Sequence, residues 1–178
     1  MTVMSELDID IIRNADHWPD SMDTVVLRAS EYVWEHAPEG AAQDRMGELA
    51  ITLSDNDQVQ ALNRDWRGKD KPTNVLSFAA EEGDEFELED MPPEMVAEMP
   101  RLLGDIILAY ETVLQEAETQ GKLFEHHLTH LVMHGVLHLL GYDHIEENEA
   151  EEMEALETAY LAEFGISDPY IEGFEAPE

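Results

Sequence analysis

The chain of 178 residues contains no cysteine. Disulfides and thiolate metal ligands are therefore excluded. Cations are scarce: nine Lys and Arg stand against 42 Asp and Glu, a formal charge of −33. A surface this acidic repels polyanions, which excludes non-specific nucleic-acid binding by the molecule as a whole. It suits solubility, or a salty cytoplasm in which self-repulsion is screened. No run of 18 apolar residues occurs, so no membrane span is expected. The opening MTVMSELDID lacks a basic segment followed by an apolar one, so it does not read as a signal peptide. With the missing cysteine, this points to a cytoplasmic location.

Hydrophobic residues make up 43%, enough for a globular chain, and the length suits one domain over residues 1–178. The few cations are unevenly placed. Arg64, Arg67, Lys69 and Lys71 fall within eight positions, and neither Lys nor Arg follows Lys122. One basic island on an acidic body is the pattern of a local anion site.

Alternation over 6–12 predicts a first strand. Asp20 or Ser21 can cap a helix over 22–36 that Pro38 and Gly40 end. A second strand is expected over 46–53. Ser54 or Asp55 then caps a short helix closed by Gly68. Strands over 75–80 and 102–109 are expected to pair as neighbours. Residues 81–100 carry nine acids and three prolines and no cation, and read as a solvated loop. Helices are expected over 111–119, over 123–140 and over 146–164, the last turning Met153, Leu156, Tyr160 and Leu161 inward. Residues 166–178 read as a tail. The helix over 123–140 is apolar on nearly all sides, as a buried core helix is, with His130, His134 and His138 as its polar stripe.

The chain is organised around His134 to His144, H-G-V-L-H-L-L-G-Y-D-H. Residues four apart on a helix lie one turn apart on one face. His134 and His138 can thus share one ion. Gly141 stands where a helix-ending glycine belongs, and the turn after it can bring His144 to the same ion. Three imidazoles and an open position describe a catalytic zinc site, one ion per chain. The alternative is a histidine cluster satisfied by hydrogen bonds. The string also fits the zinc-protease pattern H-E-x-x-H-x-x-G-x-x-H at every ligand position, but Gly135 replaces the glutamate that acts there as general base. A metallohydrolase of another substrate is therefore expected. A residue without a side chain at 135 leaves room for substrate.

These residues carry a resemblance. The histidine string at 134–144 is similar to the signature of the YbeY family of bacterial zinc-dependent endoribonucleases. L-N-R-D-W-R-G-K-D-K-P-T-N-V-L-S-F at 62–78 resembles the family's other motif, and L-G-D-I-I at 103–107 a third. The acidic run at 146–154 and D-P-Y at 168–170 are also similar, while Ala79 stands where many members have proline. The resemblance implies a single α+β domain, a small mixed four-stranded sheet packed by helices, with a zincin-like metal helix. It implies zinc ligands at His134, His138 and His144 and a role in activity for Arg67. It also implies cleavage of single-stranded RNA, in maturing the 3′ end of the 16S rRNA precursor and in ribosome quality control on the small subunit.

Arg67 is then expected to grip a phosphate and stabilise charge developing on it. Two routes stay open, attack on phosphorus by an activated water and activation of the RNA 2′-hydroxyl. Asp143 and Asp105 are candidates for proton carriers or supports of the ligands, though each reads first as structural. His130 is a candidate support, and His126 and His127 read as surface or packing residues. Two alternatives remain: a non-catalytic ribosome-assembly factor with a structural zinc, and a metallohydrolase of another substrate class.

Overall fold

Alternating polarity sorts the first strand's side chains to two faces. The structure, a computed structural model, describes residues 6–37, 46–80, 92–98, 101–142 and 147–169. Strand β1 (Leu7–Arg13) turns Leu7, Ile9 and Ile11 to the core and Asp8 and Asp10 away from it. Helix α1 (Met22–His36) crosses over to β2 (Gly47–Ser54), which pairs parallel with β1. Ser21 precedes α1 without a side-chain capping bond. Asp55 does cap α2 (Asn56–Arg67), accepting from the Gln58 N–H at 2.9 Å.

Strand β3 (Val75–Ala79) follows, then α3 (Pro93–Glu98) and β4 (Arg101–Ala109). Helices α4 (Tyr110–Thr119), α5 (Phe124–Leu139) and α6 (Glu147–Glu163) complete the described chain. The sheet order is β1-β2-β4-β3, with β4 parallel to β2 and antiparallel to β3. The fold is α+β with a mixed four-stranded sheet, as expected. The segment 81–100 departs from the expected loop, because α3 lies inside it. Proline suits the first turn of a helix, where its missing N–H is no loss, and the Met95 N–H reaches the Pro92 carbonyl at 2.9 Å. Six residues are too few to show a helical period in the sequence. The rest of that segment, 81–91 and 99–100, and the tail from 170 lie outside the described residues.

The two faces of the sheet differ. One carries Leu49, Ile51, Leu53, Val75, Ile106 and Leu108 and is covered by α1 and α5. The other carries Leu76, Ile107 and Ala109, on which α2 lays Val59 and Leu62. Beyond α2, no described helix covers that second face, which forms a trough of about 550 Å³ with Asp8, Asp10, Glu48 and Asp105 in its lining. Gly104 marks a register shift in β4, and a Cβ there would lie 2.1 Å from the Phe78 carbonyl oxygen. Only glycine admits that approach. This gives the L-G-D-I-I stretch a packing reason.

Candidate metal centre

Helix α5 is the buried axis of the molecule. Its histidines at 127, 130, 134 and 138 follow one another about a turn apart. The first three are buried and His138 is half-buried. A buried imidazole needs polar partners, since burial strips it of water.

His134 finds its partner on α6. Its Nδ1 lies 2.7 Å from Oε1 of Glu157, a side chain with no solvent exposure. Burial pushes the Glu157 carboxyl up. Hydrogen bonds from His130 and His134, with their charges, outweigh this and hold it down to about 2. The carboxylate is thus ionised at neutral pH and can only accept, so His134 Nδ1 carries the proton and donates. Nε2 of His130 lies 3.4 Å from the same oxygen. Burial holds the His130 imidazole below its usual range, against the opposing pull of Glu157.

His138 is oriented by the end of its own helix. The Gly141 N–H bonds the His138 carbonyl and the Tyr142 N–H bonds the Leu137 carbonyl, both at 3.0 Å. Gly141 has φ +106°, and this bond pair is the Schellman closure expected of a glycine there. The Tyr142 carbonyl then accepts from His138 Nδ1 at 3.0 Å. One turn residue closes the helix with its N–H and aims the imidazole with its C=O.

Both Nδ1 atoms therefore hold protons, which leaves the lone pair of each ring on Nε2. The ring centroids are 4.5 Å apart and the planes cross at 86°. Two imidazoles one turn apart, each tied at the far nitrogen to an oxygen acceptor, fit the donor set of a zinc site. His144 and Asp143 lie outside the described residues. Among the described residues no group of three His, Cys, Asp or Glu is placed to hold a metal ion. The described part of the centre is the pair and its supports.

The other candidates fall in different places. Arg67 is exposed on the last turn of α2. Among the described residues, no hydrogen bond or ion pair joins it to the histidine pair. Asp105 is no support for the pair. Side chains alternate along β4, and Ile106 is the one that meets α5, so Asp105 points into the open trough. His127, read as a surface or packing residue, is fully buried with a specific partner. Its Nε2 lies 3.0 Å from Glu116 Oε1, and Asn74 Nδ2 donates to that same oxygen at 2.9 Å. The Asn of T-N-V-L-S-F thus braces the start of α5, while the Asn74 carbonyl takes the Ala109 N–H and starts the β3–β4 ladder.

Gly135 corrects an expectation. A Cβ there would lie 2.9 Å from Ile106 Cδ1 and 3.2 Å from Ser77 Oγ. The missing side chain lets α5 press onto the sheet and leaves no room for substrate at that point. Gly135→Glu is therefore expected to lose more than about 3 kcal/mol of stability, from overpacking plus a carboxylate buried beside Ile106. Urea unfolding of that variant measures it, and a midpoint near the unaltered chain's would contradict the packing account.

Sequence reasoning missed Glu157, although a signal was present. Met153, Tyr160 and Leu161 define the inward stripe of α6, and Glu157 stands on it at four residues from Met153 and three from Tyr160. A carboxylate on an otherwise apolar stripe calls for a buried cationic or imidazole partner.

A family model described as Endoribonuclease YbeY matches residues 13–165. The chain is 49% identical to the Endoribonuclease YbeY of Paramagnetospirillum magneticum over 172 residues, covering 97% of this chain and 99% of that one. It is 57% identical to the protein of the same name from Magnetococcus marinus over 126 residues, 70% of this chain and 83% of that one. Among solved structures, the solution structure of TM1509 from Thermotoga maritima matches with a TM-score of 0.55 at 26% identity, covering 87% of each chain.

Proposed function

The chain belongs to the endoribonuclease YbeY family, and on that premise we propose that it is a zinc-dependent endoribonuclease that cuts single-stranded RNA. One zinc per chain is held by His134 and His138, on a zincin-like helix, together with His144. The observation that carries the reading is the His134–His138 pair, with each Nδ1 fixed by an oxygen acceptor so that Nε2 is the metal-binding nitrogen of each ring. Its cellular task in this reading is maturation of the 16S rRNA 3′ end and ribosome quality control, in the cytoplasm and on the small subunit.

When bound, zinc supplies a Lewis acid for a phosphoryl oxygen and acidifies water toward neutral pH. The chain's own residues do the rest. Glu157 and the Tyr142 carbonyl keep the two imidazoles in one tautomer and one orientation. Gly135 replaces the carboxylate that carries the proton in zinc peptidases, which favours a non-peptide substrate. Arg67 grips a phosphate with its planar fork and stabilises charge building on it.

Substrate binding against a charge of −33 must lean on the basic island. Lys69→Ala and Lys71→Ala are each expected to weaken RNA binding and to reduce its salt slope by about 0.7. Arg67→Ala is expected instead to lower the saturated single-turnover rate, because its contact strengthens in the transition state. Single-turnover cleavage at saturating RNA, beside binding titrated across salt, separates the two. An unchanged saturated rate in Arg67→Ala would make Arg67 a positioning residue. Failure of the unaltered, zinc-loaded chain to cut single-stranded RNA would overturn the function.

A further inference from the structure

The chain has three tryptophans, and they are treated differently. Trp18 and Trp34 are core residues at 3% and 1% exposure, whereas Trp66 is 73% exposed. It sits in the last turn of α2, next to Arg67 and two residues after Arg64. An indole left in water forgoes a large apolar contribution that burial would give. Its ring is nonetheless braced. Phe78 of β3 meets it edge-on, with centroids 6.4 Å apart and planes at 62°. The result is an outward-facing aromatic platform set within the molecule's one dense run of cations, Arg64, Arg67, Lys69 and Lys71.

The platform also stands at a defined place relative to the histidine pair. Strand β3 is an edge of the sheet, with α2 on one face and α5 on the other. Asn74, just before β3, meets the start of α5 through Glu116 and His127. Ser77 lies against Gly135, one residue from His134. The strand therefore advances along α5 toward the metal end. Phe78 follows Ser77 on the opposite face and carries Trp66. Trp66 thus stands on the α2 face of β3, and the helix that carries His134 packs on the other face of the same strand.

We propose that Trp66 is a stacking platform for an unpaired base of the RNA substrate, at a nucleotide site separated from the histidine helix by the edge strand β3. The inference rests on the RNA-cleaving reading and adds to it a base contact, where the basic island supplies only phosphate contacts. An exposed π-face among cations takes any base, so the site selects for unpaired nucleotides rather than for sequence. A base within a duplex keeps both faces stacked and cannot use it.

The test compares the zinc-loaded chain with Trp66→Ala and Trp66→Phe. The probes are a labelled single-stranded oligoribonucleotide of mixed sequence and an oligomer of the same length in which every base is removed. Trp66→Ala is expected to lose about 5- to 150-fold in affinity for the normal oligomer, the range of one lost base stack. Its salt slope should be unchanged, because stacking releases no counterions. Trp66→Phe should recover most of the loss. The unaltered chain should prefer the normal oligomer to the abasic one, and Trp66→Ala should bind the two nearly alike. RNA should also quench the accessible indole emission of the unaltered chain. Unchanged affinity in Trp66→Ala, with RNA cleavage intact, would overturn the platform and leave the endoribonuclease reading standing. Unchanged RNA affinity with lost binding to the small ribosomal subunit would assign Trp66 to a protein partner and overturn it equally. Failure of the unaltered chain to bind either oligomer would remove both.

Discussion

His134→Ala and His138→Ala are each expected to leave the purified chain with far less than one metal ion per molecule and with almost no cleavage. Each substitution removes one of two Nε2 lone pairs that stand a helical turn apart, with ring centroids 4.5 Å from each other. Loss of an outer partner of a ligand commonly costs ~10–100-fold in metal affinity, and loss of the ligand itself costs more. The two variants should differ in stability. His138 is half-buried, and its Nδ1 bonds the turn carbonyl of Tyr142 at the helix end, so its removal strands no buried charge. His134 is buried against Glu157, and its removal takes a hydrogen bond from an ionised buried carboxylate. Metal analysis by mass spectrometry, beside urea unfolding of the metal-free proteins, reads both effects. Full metal occupancy in either variant would remove that residue from the centre.

Glu157→Ala is expected to have the second largest effect, although Glu157 need not touch the metal. The alanine leaves the His134 Nδ1–H without its acceptor and takes from His130 the oxygen 3.4 Å away. An abandoned buried donor costs about 1–3 kcal/mol, so a loss of about 2–5 kcal/mol in the metal-free protein is expected. Zinc affinity should fall ~10–100-fold, because the ring orientation and its donor strength both depend on that carboxylate. Glu157→Gln keeps the shape and one acceptor, so it should recover part of the stability and little of the affinity. The pH dependence follows from the direction of the shift. A carboxyl held down to about 2 in the folded chain, against an unfolded value near 4.5, stabilises the fold fully above about 4.5. That stability is lost as pH falls through about 2. Glu157→Gln should therefore flatten the unfolding free energy between those values. The same steepness in variant and unaltered chain would place the acid sensitivity elsewhere.

The sequence made the pairing of His134 with His138 legible because a helix imposes one spacing. Four residues apart on an apolar helix means one turn apart on one face, and Gly141 announced the helix end that aims His138. Strand positions were legible for the same reason, as alternation in β1 and apolar runs in β2 to β4 match the two faces that the sheet presents. Long-range partners were not. Nothing local connects His134 with Glu157, 23 residues later, or Asn74 with Glu116, 42 residues later. Such pairs exist only once the helices pack. Gly135 was misread for a related reason: a missing side chain looks alike in sequence whether substrate or a neighbouring strand takes its space. Asp105 was weighed as a support as the acid within L-G-D-I-I, yet the bulge at Gly104 and the alternation beyond it turn Asp105 to the far face. Trp66 could be read as part of a motif, but its exposure could not.

The most direct test of the account is cleavage of one defined, labelled, single-stranded RNA by the purified chain in three states: as isolated, stripped of metal, and reloaded with zinc in measured steps. The account predicts no cleavage by the stripped chain and full recovery at one zinc per molecule, with an RNA duplex of the same sequence left intact. Equal cleavage by the stripped chain, or none at one zinc per molecule, would contradict it.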